Sequence, residues 1–246
     1  MTDLQTLLEL AKNTAREAGA LLADAPADFK KIDQQHHHDI KLKADKISES
    51  FILERLKKTS FPILSEETIL ISQRPEGLHW IVDPLDGTIN YFRGIPMYCV
   101  SIGLWEGDRP VLGAVYSPQN EELFLGLVGK GAWLNDSPIK VSDVSYKDKA
   151  MLLTGFALNT NYSTEFFNQF KNDVQAYQKL RWLGSAALSL SYISCGRGEV
   201  YSEKGIMVWD IAGALPILIA AGGSFTLEKT DIPNCINLTA TNGKMV

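Results

Sequence analysis

The chain has 246 residues, 45% apolar and 22% charged, with 19 Gly, 10 Pro and a formal net charge of −5. These values describe a folded globular chain long enough for a sizeable core, and they exclude disorder, collagen-like repeats and coiled coil. The mild acidity offers nucleic acid no basic surface, and the longest apolar run, Ile211 to Ala221, is too short to span a bilayer. Cys99, Cys195 and Cys235 form no CxxC pair, which argues against a disulfide framework or a thiolate zinc site and for a reducing, cytoplasmic setting.

Leu4, Leu7, Leu8, Ala11, Ala15 and Ala18 recur at helical spacing and predict an amphipathic helix of the mature protein. A cleaved leader would need a basic start and a continuous apolar run. The polar stretch from Asp24 to Asp39, with Pro26 and the tract His36-His37-His38, predicts an exposed, mobile loop. Adjacent histidines in such a loop are ordinarily just solvated. A second helix is expected to turn Ile47, Phe51, Leu53 and Leu56 inward. Pro62-Ile63-Leu64 then runs into Ser65-Glu66-Glu67, and the buried-strand pattern Leu78–Val82 runs into Asp83-Pro84-Leu85-Asp86-Gly87-Thr88.

Tyr98–Trp105, Pro110–Tyr116, Glu122–Val128 and Gly131–Leu134 predict an antiparallel meander punctuated by Gly, Pro and Asn. Helices are expected over Ser163–Leu180 and Ala186–Cys195, the latter ended by Gly196 in a left-handed cap. A strand near Glu199–Ser202 leads to Trp209-Asp210 and a last helix to Ala221, kinked at Pro216 and closed by Gly222-Gly223.

An isolated acid is usually a helix cap or a surface charge. Here Glu66, Asp83, Asp86 and Asp210 each stand where an apolar run ends. A carboxylate there is desolvated unless a cation or several donors compensate it, and hard divalent ions are the natural counterion for an all-oxygen set. Pro84 lets Asp83, the Leu85 carbonyl and Asp86 converge. Gly87 lets an anion approach the backbone, and the N–H groups of Gly87 and Thr88 suit a phosphate. The Thr88 hydroxyl can orient a water.

Asp83-Pro84-Leu85-Asp86-Gly87-Thr88-Ile89-Asn90-Tyr91 and Trp209-Asp210-Ile211-Ala212-Gly213 resemble the two signatures of the inositol monophosphatase family, the lithium-sensitive, magnesium-dependent phosphatases. The likeness extends over nearly the whole chain, including Asp39–Asp45, Ser65-Glu66-Glu67 and Gly222-Gly223. It implies an α+β fold, a layered α/β/α/β/α sandwich, and one domain over residues 1–246. Within that domain a metal- and phosphate-handling half covers about 1–147 and a substrate half about 148–246.

The resemblance implies two or three Mg²⁺ ions. Glu66, Asp83 and the Leu85 carbonyl would hold one, Asp83, Asp86 and Asp210 the next, and a weaker third would lean on Glu66. Thr88, supported by Asp45, would orient the attacking water, so that Thr88, Asp45 and Glu66 form the catalytic set. The substrate would meet Asp86, Gly87, Thr88, Gly184, Ser185, Ala186, Glu203 and Asp210. Arg181–Ala187 resembles the loop that touches the alcohol moiety, and Glu203 stands where the family accepts inositol hydroxyls. Ahead of Asp45 the family often has a Thr-rich stretch, whereas this chain carries Lys41 and Lys43. At Tyr91, where Phe is usual, a further hydrogen bond is expected.

The implied activity is hydrolysis of a small polyol phosphate such as myo-inositol 1-phosphate, by a homodimer with no membrane or nucleic-acid partner. Relatives acting on 3′-phosphoadenosine 5′-phosphate or histidinol phosphate share the metal ligands and are the alternatives. A regulatory binding protein on the same fold is the non-enzymatic one.

Overall fold

The computed structural model describes residues 3–36, 39–67, 75–158 and 160–245. In chain order the elements are α1 (Leu4–Ala23), β1 (Ile32–His36), β2 (Asp39–Leu42), α2 (Lys43–Leu56), β3 (Ile63–Ser65), β4 (Leu78–Asp86), α3 (Thr88–Arg93), β5 (Cys99–Glu106), β6 (Arg109–Ser117), β7 (Glu122–Leu127), β8 (Gly131–Leu134) and β9 (Ser137–Pro138). The second half adds β10 (Met151–Thr154), α4 (Thr164–Ala176), β11 (Lys179–Arg181), α5 (Ala186–Ser194), β12 (Val200–Met207), α6 (Trp209–Ala212), α7 (Ala214–Ala220), β13 (Ser224–Lys229) and β14 (Cys235–Thr241).

A seven-stranded sheet runs in the order β3 to β9, antiparallel except for the β3–β4 pair, and the expected meander forms its β5–β8 stretch. Alternation along these strands feeds two cores. Trp80, Val82, Ile102 and Leu104 meet α1 and α2 on one face. Ile81, Trp105, Val115 and Phe124 meet α5, α6 and α7 on the other. Those helices pack in turn on a five-stranded sheet, β11-β10-β12-β14-β13, through Leu153, Tyr201, Ile236 and Leu238. The fifth layer is α4, which has no buried residue and attaches through Phe166 and Phe170 against Phe156, at ring separations of 5.2 Å. The fold is the α+β sandwich that the motifs imply.

Three glycines set the spacing of the middle layers. Gly103, Gly113 and Gly126 lie side by side on β5, β6 and β7. A Cβ on Gly103 would strike the Ala212 carbonyl, one on Gly113 the Gly213 carbonyl, and one on Gly126 the Ile217 backbone. The bare strip lets α6 and α7 lie directly on the sheet.

Several local expectations are corrected. Within 24–39 the described residues are not a plain loop: Ala27–Lys30 form a 3₁₀ turn, and β1 pairs with β2 as an antiparallel ribbon. His37 and His38 lie outside the described residues; His36 ends β1. The inward face of α2 carries Ala44, Asp45, Ser48, Glu49, Ile52 and Leu56, while Ile47 is exposed and Phe51 and Leu53 are half-buried. The helix after Ser163 ends at Ala176, and Lys179–Arg181 join a sheet. The last helix is broken at Gly213 rather than kinked at Pro216, which falls in the first turn of α7, where a missing N–H costs nothing. The Ala212 carbonyl, four residues before Pro216, accepts instead from Trp105 Nε1 at 2.9 Å.

Candidate active site

β4 is buried along nearly its whole length and delivers its acids to the end of the sheet. Strict alternation would point Asp83 and Asp86 to opposite faces. The pairing with β5 slips between Asp83 and Asp86, and this bulge brings both carboxylates to one cavity. What the sequence reads as a Pro84 turn is therefore a bulged strand end. Ser48 Oγ donates to the buried Pro84 carbonyl at 2.8 Å. Gly87, at φ 89°, turns the chain into α3. A Cβ there would lie 2.7 Å from the Met97 carbonyl, so the corner requires glycine.

The cavity, about 380 Å³, is lined by Glu66, Asp83, Leu85, Asp86, Gly87, Thr88, Gly184, Ser185, Ala186, Glu203 and Asp210. These are all the site residues expected from the sequence except Asp45. Asp45 is fully buried and stands behind the wall: its Oδ1 accepts from Thr88 Oγ1 at 3.1 Å and its Oδ2 from the Leu42 N–H at 2.8 Å. Thr88 Oγ1 is also 3.1 Å from the Leu85 carbonyl. A roomier groove, about 870 Å³, lies between residues 106–109 and 229–236, and it lacks this constellation.

Asp210 enters from the second half on α6, with Oδ2 accepting from the Met207 N–H at 3.1 Å. Asp86 Oδ2 accepts from Ser185 Oγ at 2.5 Å and the Ala187 N–H at 2.8 Å. Asp83 Oδ1 accepts from the Leu85 N–H at 3.0 Å. Glu66 bonds Lys41. Each acid thus rests an oxygen on an internal donor, and among the described residues no three His, Cys, Asp or Glu side chains stand in a ready-made coordination cluster.

The electrostatics nonetheless call for positive charge. Burial, and then the neighbouring carboxylates, hold Asp83 and Asp210 well above the usual range. Burial pushes Asp86 up to about 6 against its Ser185 and Ala187 donors, and Asp45 up to about 7. Enclosed oxygens that repel one another fit a hard divalent cation, and Glu66, Asp83, Asp86, Asp210 and the Leu85 carbonyl can supply the ligands.

Glu203 faces them across the cavity. It is 9% exposed, bonded by the buried Tyr201 hydroxyl, and pushed by burial up to about 7. A Cβ on Gly155 would collide with its carboxylate, so Gly155 makes room for it. Sequence reasoning missed Tyr201 and Gly155. It also gave no role to Asn90, whose Nδ2 donates to the Met97 carbonyl at 2.7 Å and the Leu183 carbonyl at 2.8 Å, stapling α3 to the loop before α5. Asn90 lay inside the quoted motif, which was the available signal. Tyr91 makes the added bond, from Oη to the Leu22 carbonyl at 3.1 Å.

The sequence profile of the inositol monophosphatase family matches residues 3–242. An inositol-1-monophosphatase of Synechocystis sp. is 37% identical, over 99% of this chain and 87% of that protein. The inositol monophosphatase structure from Anabaena (Nostoc) sp. PCC 7120 superimposes with a TM-score of 0.84 at 36% identity, covering 99% of this chain and 93% of the other. The inositol monophosphate-bound SaIMPase-II superimposes at 0.82, with 25% identity and coverage of 99% and 92%. The chain belongs to the inositol monophosphatase family and is a phosphoric monoester hydrolase.

Proposed function

We propose that the chain is a Mg²⁺-dependent phosphatase that hydrolyses a small polyol phosphate, such as myo-inositol 1-phosphate, to the alcohol and inorganic phosphate. The observation that supports this most is one cavity walled by Asp83, Asp86, Asp210 and Glu66, with Thr88 at its edge and Glu203 opposite. In this reading Glu66, Asp83, the Leu85 carbonyl, Asp86 and Asp210 hold two or three ions. When bound, Mg²⁺ supplies an acidified water and neutralises charge on the phosphoryl oxygens.

The remaining work falls to the chain. The N–H groups of Gly87 and Thr88 bind phosphate at the start of α3. Thr88 Oγ1 can donate to Asp45 Oδ1 or to the Leu85 carbonyl. That fixes its lone pairs, so that it accepts a proton of the attacking water and aims the oxygen at phosphorus. Asp45, with its pKa near neutral, is suited to take the Thr88 hydroxyl proton as Thr88 Oγ1 takes one from the water. Gly184, Ser185 and Ala186 form the wall beside the alcohol, and Glu203 accepts its hydroxyls. A buried acceptor of this kind penalises an ester that lacks the hydroxyl.

We further propose that residues 1–147 and 148–246 act as the two halves of one catalytic domain, and that the protein is a homodimer. The exposed rings of Tyr162, Phe167 and Trp182, 50–57% open, support the dimer. Three free cysteines accord with a reducing, cytoplasmic setting. Among the described residues no helix is long and apolar enough to cross a membrane.

The test is phosphate release with Mg²⁺ from myo-inositol 1-phosphate, histidinol phosphate, 3′-phosphoadenosine 5′-phosphate and fructose 1,6-bisphosphate. Inositol phosphate should be preferred, and Asp86→Asn should abolish turnover. Preference for another ester would overturn the substrate assignment and keep the metal site.

A further inference from the structure

The two lysines ahead of Asp45 have different destinations. Lys43 reaches outward to Asp28, at 2.9 Å, in an ordinary surface pair. Lys41, on β2, turns into the site. Its ammonium bonds Glu66 and pairs with Glu67 at 2.6 Å, and 18% of its side chain remains exposed. A lysine gives up hydration and rotamer freedom to be held this way, and it does so where two carboxylates compensate.

The other acids of the cavity are served differently. Asp83 and Asp210 take backbone N–H groups, and Asp86 takes the Ser185 hydroxyl and the Ala187 N–H. Among the described residues no lysine or arginine forms an ion pair with any of these three. Among the described residues, the lysine that pairs with an acid of this cavity stands at the Glu66–Glu67 edge.

We propose that Lys41 is a built-in cation that occupies the outer face of Glu66 and Glu67 and lowers by one the number of divalent ions this site binds. The inference rests on the metal site proposed above. An ammonium has three donors and no lone pair, so it cannot ligate a metal ion; it can only share the carboxylates or exclude the ion. An ion leaning on Glu66 from outside would lie beside a like charge and compete with it for the same oxygens. Lys41 also immediately precedes Leu42, whose N–H holds Asp45 Oδ2 at 2.8 Å. The same backbone turn therefore places the fixed charge on Glu66 and steadies the carboxylate behind Thr88. Lys41 is in this sense a positioning residue, acting through Glu66 and Asp45.

The experiment is a Mn²⁺ titration, read by electron paramagnetic resonance of the free ion in the presence of inorganic phosphate. The full chain is compared with Lys41→Met, Lys41→Gln and Lys41→Arg. The two neutral variants should bind one Mn²⁺ more per chain than the wild type, or tighten the weakest one about tenfold (~1.4 kcal/mol). Lys41→Arg should follow the wild type. Thermal melts without metal establish that each variant folds, and the glutamine variant keeps length and polarity if the methionine variant does not fold. Equal Mn²⁺ number and affinity in the wild type and a folded neutral variant would overturn the proposal. So would a lowered melting temperature with unchanged Mn²⁺ binding, which is what a purely structural lysine gives. A folded wild type that binds no Mn²⁺ would overturn the metal site itself, and this inference with it.

Discussion

Ser185 Oγ donates to Asp86 Oδ2 at 2.5 Å, across 99 residues of sequence. The same hydroxyl oxygen caps α5 by accepting from the Leu188 N–H at 3.2 Å. One side chain thus starts a helix of the second half and orients an acid of the first. Ser185→Ala removes both bonds. A lost hydrogen bond to a charged group is worth ~1.5–3 kcal/mol and a lost cap ~1 kcal/mol. The expected result is a fall of about tenfold or more in kcat/KM, a raised Mg²⁺ half-saturation and a melting temperature lower by about 5–16 °C. Unchanged Mg²⁺ dependence would remove Ser185 from the support of Asp86.

Under the proposed mechanism, Thr88 and Asp45 are the positions that separate metal binding from turnover. Thr88→Ala and Asp45→Asn leave every proposed metal ligand in place. Each should lower kcat about 10²–10³-fold while Mn²⁺ affinity stays within about threefold of the wild type. Loss of Mn²⁺ binding in Thr88→Ala would show that the hydroxyl serves the ions and not the water.

Stability of the metal-free protein should fall as pH rises. Asp86 at about 6, and Asp45 and Glu203 at about 7, lie above the ordinary carboxylate range, so the folded chain holds more protons than the unfolded chain between about pH 4 and 7. Their contribution is fully present below the unfolded pKa and is lost as pH climbs through the folded values. The melting temperature without divalent ions should be lower at pH 8 than at pH 5 by at least ~3 °C, and Mg²⁺ should recover more of it at pH 8. Calorimetry showing the reverse slope would refute this account of the carboxylates.

Glu203→Gln keeps shape and weakens the acceptor. It should raise KM for inositol phosphate about tenfold and leave an ester without neighbouring hydroxyls nearly unchanged. Equal losses on both esters would mean that Glu203 supports the wall and does not read the alcohol.

Much of the site was legible because it is local. Asp83 to Thr88 lie within one short segment, and Asp210 follows the buried apolar residues Ile206, Val208 and Trp209 that join the end of β12 to α6. What escaped notice depends on partners distant in sequence. β1 is almost wholly polar after Ile32, and β2 offers only the four-residue alternation Asp39-Ile40-Lys41-Leu42, too short to mark a strand. The inward face of α2 was misread because Asp45, Ser48 and Glu49 are buried there while Ile47 is not; hydrophobicity cannot find a helix face turned toward a polar site. The destination of Lys41 is a tertiary contact, Glu66, 25 residues away, which no local pattern marks. Pro216 was taken as a kink because the break at Gly213 is fixed by Trp105 and by the bare strip on the sheet, neither of them visible beside it in sequence.

That strip ties chemistry to packing density. Asp210 rides on α6, and the bare backbone at Gly103 is what lets α6 approach β5 this closely. On the proposed metal site, repulsion among Asp83, Asp86 and Asp210 would press the helix layer away from the sheet, and a bound divalent ion would relieve it. The backbone amides of Gly213, Ala214, Leu215 and Ile217 should therefore exchange with solvent more slowly when divalent ions are present, although they belong to a seam and not to the cavity. On this reading the interlayer seam and the proposed catalytic pocket are two ends of one mechanical element, and a methyl group added at Gly113, which would strike the Gly213 carbonyl, should be felt at Asp210 as a displaced charge.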